Sequence, residues 1–224
     1  MRLPIAVDHA SAASYEGTPY VAGGNSSGRT VGAVYRLEQG GWTLLRPMGH
    51  PRAAFGLVAV GNRIYAIGGI GGGVEVGAVE TYDPVADRWS DVAPLPLPRD
   101  HVAGFSWQGQ ACIAGGRSPT TARVDCYDPA STAWTRLPDL PVPTSGAGAA
   151  ALGGQVIVAG GENAAESTLV GHVFRFTGGS SWSDEPMLVP RHGIQLAPVQ
   201  GRAWACGGAT AAGYQAATAC TSIA

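Results

Sequence analysis

Short apolar runs closed by a glycine pair punctuate this chain from end to end. They read YVAGG at residues 20–24, IYAIGG at 64–69, ACIAGG at 111–116, VIVAGG at 156–161 and AWACGG at 203–208. Other apolar runs precede them across tight turns. Phe55–Val60 and Arg63–Ile67 flank Gly61-Asn62, and Ala149–Leu152 and Gln155–Val158 flank Gly153-Gly154. Such runs, rich in β-branched and aromatic residues and split by glycine turns, predict hairpin strands. After each of the first four pairs comes an aromatic segment ending in tryptophan: AVYRLEQGGW to Trp42, VETYDPVADRW to Trp89, VDCYDPASTAW to Trp134 and HVFRFTGGSSW to Trp182. Asp83-Pro84 and Asp128-Pro129 supply turn chemistry before the strand that begins at the tryptophan. No apolar stripe at helical spacing lasts three turns, so the pattern predicts an all-β chain.

The motif is periodic. The glycine pairs begin at Gly23, Gly68, Gly115, Gly160 and Gly207, in steps of 45, 47, 45 and 47 residues. Pro51, Pro98, Pro143 and Pro190 each stand 17 residues before a pair, and Arg52, Arg99 and Arg191 follow three of them. Self-similarity at this period is the signature of a repeat architecture. The order of apolar strand, second strand ending in Gly-Gly, Tyr-Asp-Pro and then Trp resembles the kelch repeat, over essentially the whole chain. The resemblance implies a single β-propeller domain over residues 1–224, built of four-stranded antiparallel blades. Residues recurring in every unit are assigned to packing. The glycine pairs admit backbone conformations and close approach that a Cβ would forbid. Tyr82, Tyr127, Trp89 and Trp134 are expected to anchor one blade on the next.

The fifth repeat is short. Strands are expected near Ile194–Val199, at Arg202–Cys206 and through Ala216–Ile223, with no tryptophan strand after them. Ala6 aligns with Pro98, so residues 1–5 are too few to supply that strand. The expectation is a five-bladed ring whose last blade lacks its outer strand. A larger propeller and completion by a second chain are the alternatives. An unpaired edge invites association, so a homodimer through the last blade is a candidate.

Composition narrows the function classes. Charged residues are 13% of the chain and the net charge is −2, which leaves no electrostatic footprint for nucleic acid or an anionic membrane. No apolar run approaches the roughly 20 residues a membrane helix needs, and Met1–Pro4 shows no signal-peptide pattern. Nothing in the sequence calls for a cofactor.

The kelch resemblance implies that two positions per blade converge on one face around the central channel. One follows Gly-Gly: Asn25, Ile70, Arg117, Glu162 and Ala209. The other opens the inner strand: Asp8-His9, Ala53-Ala54, Asp100-His101, Ser145-Gly146 and His192-Gly193. Together they define a polar face of Asp8, His9, Asn25, Asp100, His101, Arg117, Glu162 and His192, read as the binding surface for a protein or small-molecule partner. Kelch adaptors that recognise acidic peptides place several arginines there, whereas this chain has Arg117 alone. Three histidines could ligate a metal, but their spacing has no local ligand motif, and no metal site is assigned. The chain also resembles stand-alone bacterial kelch proteins, among them sialic-acid mutarotases. That resemblance makes a sugar-handling enzyme the alternative, with Arg117 and Glu162, or His101 and Asp100, as general acid and base. Cys112 and Cys126 lie 14 residues apart, as do Cys206 and Cys220. Two cross-strand disulfides, which would point to an oxidising compartment, and free buried thiols are both open readings.

Overall fold

A computed structural model describes residues 2–213 and 216–223, and all regular structure among them is β-strand. The strands form five blades. Blade one comprises Ser11–Tyr15, Thr18–Ala22, Val34–Glu38 and Gly41–Leu45; blade two Gly56–Val60, Arg63–Ile67, Val79–Asp83 and Arg88–Val92. Blade three comprises Ala103–Trp107, Gln110–Ala114, Val124–Asp128 and Ala133–Arg136; blade four Gly148–Leu152, Gln155–Ala159, His172–Phe176 and Ser183–Pro186. Each is an antiparallel meander from an inner to an outer strand. The inner strands of all five line a central channel of about 390 Å³, walled mostly by alanine, glycine and valine.

The five-bladed propeller expected from the repeats is thus the observed fold. Blade five has three strands, Leu196–Val199, Arg202–Cys206 and Cys220–Ile223, and no outer strand among the described residues. Two of its bounds differ from the expectation. The inner strand starts at Leu196 because the N–H groups of Gly193 and Ile194 turn toward the Gly146 carbonyl of blade four. The third starts at Cys220, and Ala216 instead bridges Ala209. Two short hairpins, Asn25–Ser26 with Arg29–Thr30 and Ile70–Gly71 with Val74–Glu75, follow the first two glycine pairs. The sequence pattern did not reveal them.

Each glycine pair is a socket for the next blade. The second glycine of blades one to four donates its N–H to a carbonyl of the following blade, at Arg52, Arg99, Thr144 and Arg191, each at 2.9 Å. A Cβ on the first glycine would meet that same oxygen at 2.3 Å for Gly23, 2.7 Å for Gly68, 2.4 Å for Gly115 and 2.2 Å for Gly160. All of these glycines have positive φ, so both space and backbone demand the missing side chain.

The residue that offers the carbonyl also braces its own blade. Arg52 is fully buried; it donates to the carbonyls of His50, Gly68 and Ala78 and pairs with Glu80 at 2.8 Å. Arg99 repeats this with Leu97, Gly115 and Asp125. In blade four, Thr144 gives its hydroxyl to Gly160, and Phe174 occupies the strand position of Glu80 and Asp125. Arg191 reaches the carbonyls of Gly207 and Ala219 but faces Thr221 where the acid stands elsewhere. Its Nε and the Thr221 hydroxyl are both buried without a partner.

Apolar packing follows the same rule of one junction per pair of blades. Tyr20, Ala22, Ile64 and Ala66 join blades one and two; Tyr65, Ile67, Ala111 and Ile113 join two and three. Cys112, Ala114, Val156 and Val158 join three and four; Ile157, Ala159, Ala203 and Ala205 join four and five. The tryptophans act as expected. Trp89, Trp134 and Trp182 pack at a tilt against Tyr82, Tyr127 and Phe176 and donate their indole N–H to the preceding blade, at Arg46, Ala93 and Pro138.

Both cysteine pairs are disulfides, bridging the second and third strands of blades three and five. Cys112–Cys126 is buried, whereas Cys206 and Cys220 are exposed. Limited reductant followed by alkylation and mass spectrometry should therefore open Cys206–Cys220 first, because exchange requires access. Arg99→Leu should cost about 1–3 kcal/mol in urea unfolding, because it removes the buried donor to the Gly115 carbonyl and one of the two cations on Asp125, while Arg123 still holds that carboxylate at 2.7 Å. A change within about 0.5 kcal/mol, the size typical of a surface substitution, would show that the clamp does not stabilise the blade.

Candidate functional site

A backbone collar rims one end of the channel. Just before each inner strand stands a left-handed residue: His9, Ala54, His101, Gly146 and Gly193, with φ of 52°, 54°, 51°, 67° and 61°. The last four donate their N–H to the collar carbonyl of the preceding blade, Ala54 to His9 at 2.9 Å, His101 to Ala54 at 2.7 Å, and Gly146 to His101 and Gly193 to Gly146 at 2.8 Å. A left-handed backbone costs a non-glycine residue about 1–2 kcal/mol, so His9 and His101 are held where glycine would sit more easily. Strain of this kind gathers at functional sites.

Beside the collar, the two positions per blade singled out from the sequence form bridged pairs: Asp8 with Asn25, Ala53 with Ile70, Asp100 with Arg117, Ser145 with Glu162, and His192 with Ala209. The polar side chains fall into three groups. Asp8 accepts from His9 Nδ1 at 2.7 Å and from Asn25 Nδ2 at 3.0 Å. Asp100 contacts His101 Nδ1 at 2.5 Å and accepts from Arg117 Nε at 2.9 Å, while Arg117 extends to Glu166 at 2.5 Å. Glu162 Oε1 lies 3.1 Å from His192 Nδ1. The first two groups meet, with the His9 and His101 rings 5.2 Å apart edge to face. Blade two contributes only Ala54 between them, and its small side chain leaves them room.

Arg117 and Glu162 are not partnered with each other; each is engaged within its own group. Repeat alignment missed two participants. Glu166 lies in the blade-four loop after Gly160-Gly161, at a position outside the two per blade that the alignment compared. The Gly213 carbonyl, 3.1 Å from His192 Nε2, is a backbone group that no side-chain pattern marks. With Nε2–H donating to that carbonyl, the Nδ1···Oε1 contact needs one further proton, on His192 or on Glu162. Glu162 is buried, and its Oε2 has no hydrogen-bond partner.

The electrostatics follow from these contacts. Hydrogen bonds from His9 and then Asn25 hold the Asp8 carboxyl below its ordinary value. For Asp100 burial is the largest influence and pushes upward, but the contacts with His101 and Arg117 together outweigh it and keep the carboxyl low. Among the described residues no three histidine, cysteine or carboxylate side chains are arranged to hold a metal ion.

The Kelch motif family profile matches residues 51–96, the stretch running from Pro51 through blade two. Beta-scruin of Limulus polyphemus is 35% identical over 123 residues, covering 50% of this chain and 13% of that protein. Human Kelch-like protein 33 is 35% identical over 111 residues, covering 47% of this chain and 21% of that protein. The chain carries the Kelch motif and resembles kelch-repeat proteins.

The solved structure of YjhT superimposes with a TM-score of 0.77 at 20% identity, over 92% of this chain and 73% of that one, which establishes likeness of fold. The matched segments span about an eighth to a fifth of the two curated relatives. In this kelch propeller the repeat-wide residues make the scaffold, and the residues that vary between blades make the rim, as expected where loops on a rigid frame carry specificity.

Asp100→Asn should lower stability at pH 7 by about 1–3 kcal/mol, the cost of an unmet buried hydrogen-bonding group. A carboxyl with depressed pKa contributes stability above its unfolded value and loses it as pH falls through its folded value. The gap between parent and variant should therefore close in acid, as followed by urea unfolding from pH 7 to pH 3. A gap independent of pH would exclude the ionised carboxylate as its source.

Proposed function

We propose that this kelch propeller is a binding module whose collar-rimmed polar face, built from Asp8, His9, Asn25, Asp100, His101, Arg117, Glu162 and His192, holds a basic segment of a partner protein. The observation that carries the reading is Glu162. A buried carboxylate oxygen without a hydrogen-bond partner is costly, and a donor from a ligand relieves that cost. The sign of the rim supports a cationic donor. With Glu166 added, four acidic side chains face one arginine, and the further proton in the Glu162–His192 contact, on either residue, still leaves the acidic groups in excess. Electrostatic complementarity of this kind favours a basic segment over an acidic one.

The sugar-handling alternative gains no support from the geometry, since Arg117 and Glu162 are bound to different partners. Fluorescence anisotropy with lysine/arginine-rich, neutral and acidic peptides, with free sugars as competitors, separates the two readings. Basic peptides should bind in a salt-sensitive manner, and Glu162→Gln should weaken them about tenfold, equivalent to about 1.4 kcal/mol. Equal binding of acidic peptides, or no peptide binding at all, would refute the reading. Sugar binding that Arg117→Ala and Glu162→Ala both abolish would favour the alternative.

A further inference from the structure

Four of the five glycine sockets are filled, and among the described residues nothing fills the fifth. The Cβ position on Gly207 meets nothing nearer than the Ala217 carbonyl of its own blade at 3.7 Å, whereas at the four equivalent glycines the next blade's carbonyl lies 2.2–2.7 Å away. Three further observations mark the same junction, between blade five and blade one. Among the described residues, no collar bond joins the His9 N–H to Gly193, although the other four collar residues each make that bond. The Trp42 indole N–H of blade one is buried without a partner, while Trp89, Trp134 and Trp182 each donate to the blade before them. The facing sheet surfaces are also uncovered. In the second strands of blades two to four the residues are buried on both sides; in blade five Trp204 and Cys206 are exposed where their equivalents are buried against the next blade. Blade one shows the complementary face open, with Pro19 exposed and Val21 half-buried while Tyr20 and Ala22 are covered by blade two. The one polar bond described across the gap is from the Ala12 N–H to Gln195 Oε1, at 3.1 Å.

We infer that blades five and one border an open inter-blade seam that receives one further four-stranded kelch-type blade, carried by a polypeptide segment other than residues 1–224. The occupant follows from the unmet groups. Gly207-Gly208 requires a backbone carbonyl of the kind that Arg52, Arg99, Thr144 and Arg191 provide. The His9 N–H requires a collar carbonyl. Trp42 requires the carbonyl four residues beyond a tryptophan, as at Arg46, Ala93 and Pro138, so the occupant must include an outer strand. Only a complete blade carries all three in one geometry. A second copy of this chain offers the same two faces in a head-to-tail sense, a heterologous contact that repeats without filling the gap. None of this depends on the ligand proposed for the rim.

The test appends a copy of residues 129–188 after residue 224. This completes blade five with the tryptophan strand of blade three and adds a blade copied from blade four. Trp204 should become protected from oxidative labelling and the Trp42 indole N–H from hydrogen exchange. Gly207→Ala should then shift the unfolding equilibrium at least about tenfold more in the extended chain than in the parent, the cost of forcing a methyl into a filled contact. Gly68→Ala, in a socket already filled, should cost the same in both and serves as the reference. If Trp204 and Trp42 stay unprotected, or the Gly207→Ala penalty is equal in the two chains, the inference fails. It fails equally if the parent chain alone protects Trp204 by concentration-dependent association, because the occupant is then a second copy.

Discussion

A carbonyl oxygen seated on a glycine α-carbon sets the spacing of this propeller. At each filled junction the first glycine of the pair admits the oxygen and the second donates its N–H to it, so one backbone group is held by contact and by hydrogen bond together. No side chain larger than hydrogen fits, and the interior tolerates little adjustment because it is close-packed. Blade spacing is thereby fixed by main-chain geometry, and the apolar surfaces between blades can vary in composition. Tyr20 and Ile64 fill one junction, Cys112 and Val158 another, around the same socket.

The frame and the rim divide the chemistry. Buried charge in the frame is matched within a blade: Arg52 with Glu80, Arg99 with Asp125. Where the cation is absent, at Thr144, the acid is absent too, and Phe174 takes its place. Rim charge is organised across blades instead, with Arg117 spanning from Asp100 to Glu166 and His9 meeting His101 over Ala54. A change on the rim thus perturbs relations between neighbouring loops, and a change in the frame perturbs one sheet.

Most of the frame was legible in the sequence because its constraints recur. A carbonyl socket needs Gly-Gly in every repeat, and a packed indole needs Trp at the same distance, so spacing alone located the blades and the short fifth one. The rim was legible in part. Repeat alignment placed Asp8 with Asn25 and Asp100 with Arg117, because register carries equivalent positions to the same end of each blade. Contacts outside the period were not legible. Glu166 and the Gly213 carbonyl belong to loops whose sequence and contacts differ from blade to blade, and the His9–His101 contact depends on the curvature of three successive blades. The cysteines were ambiguous for a different reason: strand pairing brings residues opposite one another whether or not a bond joins them.

Arg191 carries a consequence of its own. Its guanidinium is sealed in blade five with two carbonyls and, among the described residues, no carboxylate, opposite a threonine hydroxyl that is also unpartnered. A buried cation without a counter-charge favours any excursion that lets water reach it. Such excursions are sub-global, confined to the unit with the fewest compensating contacts. Blade five is therefore the fuse of the molecule, where breathing begins and where a protease would find its first foothold while the other four blades remain closed.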